Sequence, residues 1–140
     1  MPLDLLFRIA STIALVGWVV LALSPLQRSL AVLTARLLAA MLCGGYLAVL
    51  IHALGTGPAP DWRAFNSLDG VMRLLGSREA ALAGWVHYLA LDLFTGAWEA
   101  ETAPKARVPY AMLLVCLFLT FMAGPVGLLA YLVVRAARQR

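Results

Sequence analysis

Residues 119–131 read LTFMAGPVGLLAY. They sit inside an apolar segment that begins near Val108 and meets no charge until Arg135, long enough to cross a bilayer with some tilt. Pro125 has no backbone N–H, so the carbonyl of Phe121 loses the partner a continuous helix would give it. How the chain answers that carbonyl decides the shape of the whole segment. The sequence predicts one kinked span over 108–134, with Thr120 or another helix satisfying the freed carbonyl, or with the break lining a cavity.

Outward from this break, three more segments have the same character, at about 5–24, 31–52 and 79–98. The first carries no charge from Ile9 to Leu23, and the second tolerates Arg36 if that side chain snorkels. The 140 residues are 63% hydrophobic and 13% charged, with mean hydropathy +0.88; soluble domains run at about 45–50% and about 25%. A chain this small has too little interior to hide that much apolar surface, whereas a lipid bilayer removes the need. The expected fold is therefore all-α. It is a single transmembrane domain over 1–140, with four transmembrane helices and a short interfacial or re-entrant helix near 67–76.

A cleaved signal peptide is not expected at the first segment. Asp4 offsets Arg8, and Ala22-Leu23-Ser24 before Pro25 is a poor cleavage site. Four spans place both termini on one side, with Arg8, Arg63, Arg73, Arg78, Arg135, Arg138 and Arg140 against Arg28, Arg36, Lys105 and Arg107 on the other. That bias predicts both termini in the cytoplasm. The Ala, Leu and Arg usage is that of a bacterial chain, which points to an inner membrane. The net charge of +4 is too scattered for a nucleic-acid patch, so no nucleic-acid partner is expected.

The loop before the third segment has its own punctuation. Gly55 to Pro60 breaks any helix. Asn66 or Ser67 can then cap a short helix that carries Leu68, Val71, Met72 and Leu75 on one face and Asp69 and Arg73 on the other. Gly76 ends it, and Ser77 can cap the third segment, with Glu79 in its first turn. On the second segment Ala40, Gly44 and Ala48 form a small-residue face suited to helix packing. His52 reads as an interfacial residue, and Cys43 and Cys116 as packing residues, not a disulfide or metal pair.

The chemistry concentrates in residues 83–96, AGWVHYLALDLFTG. Gly84, Tyr88 and Asp92 follow one another at i+4 and share a stripe, with Trp85 at its border. His87 lies five residues before Asp92, about 140° round the helix, so the two cannot pair on one face. Each needs partners on other helices. Ionisable groups at membrane depth cost at least about 2.5–3.5 kcal/mol on insertion scales and mark functional sites by default. Interhelical hydrogen bonding is the other role open to them. His87 and Asp92 are the candidate catalytic pair, and Asn66, Asp69, Trp85, Tyr88 and Thr120 the candidate substrate-binding residues. No phosphate-cradling glycine loop, no metal-spaced His/Cys cluster and no nucleophile elbow occurs in the sequence, so neither metal nor cofactor is expected.

Three stretches, NSLDG (66–70), AGWVHYLALDLFTGAW (83–98) and LTFMAGPVGLLAY (119–131), resemble the abscisic-acid-deficient-four-like family, whose plant members are tied to neoxanthin synthesis. The resemblance covers most of the chain, the first two spans in character only. It implies a small polytopic membrane protein of the neoxanthin-synthase-like type. The family pattern often has Gly-Ile-Pro-His where this chain has Arg107-Val108-Pro109-Tyr110, and a Pro at Val115. The resemblance implies a carotenoid or other isoprenoid lipid as ligand and a cofactor-independent isomerisation. An acid opens an epoxide end group and a base removes a proton from the polyene, with Asp69 or Asn66 as orienting group. A non-catalytic membrane subunit that binds a pigment or steadies a partner enzyme stays open beside it, as do a homo-oligomer and, less favoured, a small transporter built by oligomerisation.

Overall fold

The computed structural model of the protein describes residues 2–56 and 62–139. Residues 57–60 of the helix-breaking stretch, and Arg140, lie outside them. Among the described residues the chain is all-α, with no strand. Helix α1 is Leu3–Ala22, α2 Arg28–Thr56, α3 Leu68–Leu75, α4 Arg78–Thr102, α5 Tyr110–Met122 and α6 Gly124–Arg138; a short 3₁₀ turn, Trp62–Asn66, precedes α3. Ser67 caps α3 by accepting from the Gly70 N–H, and Ser77 caps α4 by accepting from the Ala80 N–H, each at 3.1 Å.

Helices α1, α2 and α4 form a bundle in which α1 and α4 run parallel and α2 runs antiparallel to both. Trp18 of α1 lies over Gly96 of α4, and Leu93 of α4 over Gly17 of α1, so the two helices approach closely. Helix α2 buries Ala31, Val32, Ala35, Ala39 and Leu42, a stripe at i, i+4 spacing. The expected packing face of Ala40, Gly44 and Ala48 is rotated away from that stripe by about one residue, roughly 100°. It is exposed, with nothing within 4 Å of a methyl placed on Gly44. Arg36 has a partner within the bundle. It meets Glu101 of α4 in a two-pronged ion pair, at 2.6 and 3.2 Å.

The segment predicted as one kinked span is two helices folded back on each other. Helix α5 runs down against α4 until its end reaches the level of Asp92. The chain reverses at Ala123 (φ −158, ψ 82), and α6 returns toward the end where α5 began. Four pairings establish the reversal. Gly124 faces Asp92, Gly127 packs against Thr120, the Tyr131 hydroxyl shares a 2.6 Å hydrogen bond with that of Thr102, and Arg138 reaches the Met112 sulfur at 3.9 Å. A kinked but continuing helix would instead put Tyr131 near the start of α4. With 13 and 15 residues, the two arms are about 20 Å long, half a bilayer and a little more.

Two expectations change with this hairpin. The fourth segment is not a full-length pass, and the termini stand at opposite ends of the bundle. The N-terminus lies beside the start of α4, where Arg78 meets Asp4 at 2.7 Å. The C-terminus lies beside the 102–110 turn. There the Tyr110 hydroxyl donates to the carbonyl of Ala22, so Tyr110 ties α5 to the end of α1.

Leu3–Ala22 and Arg28–Gly55 are long and apolar enough to cross a membrane. Helix α4 has the length, at 25 residues, but carries Asp92 and Glu99. Along α2, Leu30, Leu33, Leu37, Met41, Leu47 and Ile51 are each more than half exposed.

Candidate functional site

The polar side chains of the third segment take three directions. Asp92 faces the hairpin tip. Its carboxylate lies against the backbone N–H of Gly124, the first residue of α6, and against the Tyr88 hydroxyl. A helix start presents unpaired N–H groups and the positive end of its dipole, so a carboxylate from a neighbouring helix is well placed there. Oxygen Oδ2 of Asp92 is nonetheless buried without a hydrogen-bond partner among the described residues. The Tyr88 hydroxyl donates to the carbonyl of Phe121 at 3.3 Å. This is the carbonyl that Pro125 orphans, and another helix answers it.

Two turns away on the same stripe sits a group outside the predicted span. Glu99 is fully buried and stands seven residues beyond Asp92, nearly in line with it and about 10 Å along the axis. Thr120 of α5, also fully buried, donates its hydroxyl to Glu99 Oε1 at 2.9 Å, while Oε2 has no partner among the described residues. Tyr131, beside Trp98 and bonded to Thr102, closes this seam. Ending the third segment at Trp98 left Glu99 outside. The i+7 spacing from Asp92 was the available signal.

Thr120→Val leaves Glu99 buried with no donor. It is expected to cost about 1–2 kcal/mol, read as a lower thermal midpoint in detergent, and Thr120→Ser should restore most of it.

Below the tip, neither arm of the hairpin covers α1 and α4. There Phe7, Trp85 and Tyr88 form an aromatic ladder with successive ring centroids 5.6 Å apart. The Trp85 ring nitrogen donates to the Ser11 hydroxyl at 3.2 Å, and Trp85 is 41% exposed. A groove of about 330 Å³ continues along Leu3, Phe7, Leu82 and Trp85 to the Asp4–Arg78 pair. Above the tip, a second groove of about 390 Å³ lies between α1 and α5, with Leu15, Trp18, Leu117 and Phe121 among its walls.

The remaining candidates stand elsewhere. His87 is exposed on the α2 side, edge-on to Tyr46 with centroids 5.6 Å apart, and does not meet Asp92. Asn66 and Asp69 are exposed at the N-terminal end of the bundle. Helix α3 touches α4 through Leu75 at Gly84, about 12 Å of helix short of Asp92. No cluster of His, Cys, Asp and Glu suited to a metal occurs among the described residues. The structure thus unites Asp92, Tyr88 and Thr120 with Glu99, and leaves His87, Asn66 and Asp69 apart.

The fold defines a small, strongly apolar helical protein with a carboxylate, Asp92, held at the tip of a reversed helix pair. The sequence profile of the ABA DEFICIENT 4-like family matches residues 5–131, and the chain belongs to that family. No curated protein and no solved structure matches it significantly.

Proposed function

We propose that the chain is an integral membrane protein in which α1, α2 and α4 cross the bilayer and the α5–α6 hairpin enters to mid-depth. On this reading it acts as a neoxanthin-synthase-like isomerase on the end group of a carotenoid or other isoprenoid lipid. Family membership supports the neoxanthin-synthase-like relationship. The observation that carries the chemistry is the buried, unpartnered Oδ2 of Asp92 at the hairpin tip. Lipid-exposed irregular backbone is not tolerated at that depth, but irregular backbone that lines a site is.

Isomerisation of an epoxide end group needs one proton delivered to the epoxide oxygen as its C–O bond breaks, and one proton removed from the polyene. Atoms and electrons balance without an oxidant. On this reading Asp92 takes the proton, and Tyr88, beside it and bonded to the Phe121 carbonyl, gives one. The aromatic ladder of Phe7 and Trp85 offers an apolar wall for the rest of the molecule. His87, on the far side of α4, has no part in this arrangement.

A second reading rests on the Gly124 N–H. A carboxylate at a helix start is also a structural cap, and a pigment-binding or partner-steadying subunit needs no more than that. The deciding experiment uses extracts of cells that make an epoxy-carotenoid, with and without the gene, separated by chromatography before mass spectrometry. An isomerase produces a species of unchanged mass and altered retention. Identical profiles at full protein expression would end the carotenoid isomerase reading.

A further inference from the structure

The hairpin redistributes charge between the two ends of the bundle. The end that holds the 23–28 turn, the 102–110 turn and the C-terminus carries Arg28, Arg36, Lys105, Arg107, Arg135 and Arg138. Its only accessible acid among the described residues is Glu101, already paired with Arg36. The opposite end carries Arg8, Arg63, Arg73 and Arg78 against Asp4, Asp69 and Glu79. One end is therefore strongly basic and the other close to balanced, while Glu99 is buried and Asp92 half-buried between them. A four-pass arrangement hides this asymmetry because it puts Arg135 and Arg138 at the wrong end.

We infer that the basic end is the surface that meets the anionic headgroups of the cytoplasmic leaflet, so that the chain inserts with its C-terminus inside and its N-terminus outside. Positive charge in short loops and near helix ends sets membrane orientation, and Lys and Arg close to an anionic leaflet are attracted to it. Lys105, Arg107 and Arg138 are exposed, and Arg135 lies over the Trp98 ring, 5.5 Å from its centre. With Tyr110 nearby, that pairing of ring and cation is the composition of a membrane interface. The hairpin then enters from the cytoplasmic side, and the Phe7–Trp85–Tyr88 ladder faces the opposite leaflet.

The test uses the full chain in spheroplasts of a bacterial host, with an epitope tag at either terminus and an added protease. The N-terminal tag should be cleaved in intact spheroplasts, and the C-terminal tag only after lysis. Both tags on one side would overturn the re-entrant hairpin, and the reverse pattern would overturn the orientation. The combined variant Arg28→Gln, Lys105→Gln, Arg107→Gln and Arg138→Gln removes most of the bias. It should bring inverted molecules to about half of the inserted population. An unchanged orientation in that variant would overturn the role of the basic end.

Discussion

Gly127→Val is expected to prevent accumulation of folded protein. A methyl placed on Gly127 would lie 2.1 Å from both the backbone nitrogen and the hydroxyl oxygen of Thr120. Backbone cannot swing aside as the end of a flexible side chain can, so the two arms of the hairpin would have to separate. Separation would also release Thr120 from Glu99 and Tyr131 from Thr102, each of which is buried or half-buried. Overpacking alone costs about 1–3 kcal/mol, and the loss of a buried donor adds about 1–3 kcal/mol more. Against a total stability of about 5–15 kcal/mol, the variant should show a collapsed yield and no sharp elution peak in detergent. Gly44→Ala is the matched control. Nothing lies within 4 Å of that position, so its thermal midpoint should stay within the effect of about 0.5 kcal/mol. If Gly127→Val behaves like Gly44→Ala, the helices are not folded back as described.

The second large effect is functional. Asp92→Asn should lower turnover of the lipid substrate by about 10²–10⁴-fold, the range for loss of a positioned proton-transfer group, while the protein accumulates normally. Asparagine has the same shape and still offers an oxygen to the Gly124 N–H, so the tip remains capped. It cannot take a proton. Asp92→Ala removes the cap as well and should add about 1–2 kcal/mol of destabilisation. Protein levels in membranes and the chromatographic profile of the extract separate the two effects. Full accumulation of Asp92→Asn with unaltered product would leave Asp92 as a cap and remove the catalytic reading.

The sequence signals that succeeded were those whose physics is local. Ser67 and Ser77 cap the helices they precede because a side-chain oxygen reaches a backbone N–H only three residues away. The separation of His87 from Asp92 followed from helix geometry alone. What failed was whatever depended on the far side of a contact. The partner of Arg36, Glu101, went unseen because it lies 65 residues further on. The face of Ala40, Gly44 and Ala48 looked like a packing surface because hydropathy does not tell which side of an apolar helix another helix will choose. Glu99 lies one residue beyond the predicted 79–98 span, and its enclosure rests on Thr120, 21 residues further on.

The sequence by itself determined that the chain is helical and strongly apolar, that the last segment departs from a straight helix at Gly124-Pro125, and that the Phe121 carbonyl needs a donor other than the backbone N–H of residue 125. Only the tertiary structure decided what the break does. A helix that loses one hydrogen bond to proline can bend or reverse, and hydropathy and periodicity are the same along the chain in either case. The direction of α6 is set by Gly127 against Thr120, Gly124 against Asp92 and Tyr131 against Thr102, all of them contacts between residues brought together by folding. Those contacts place the termini at opposite ends, gather the basic residues at one of them, and put a carboxylate at the tip of a reversed helix pair.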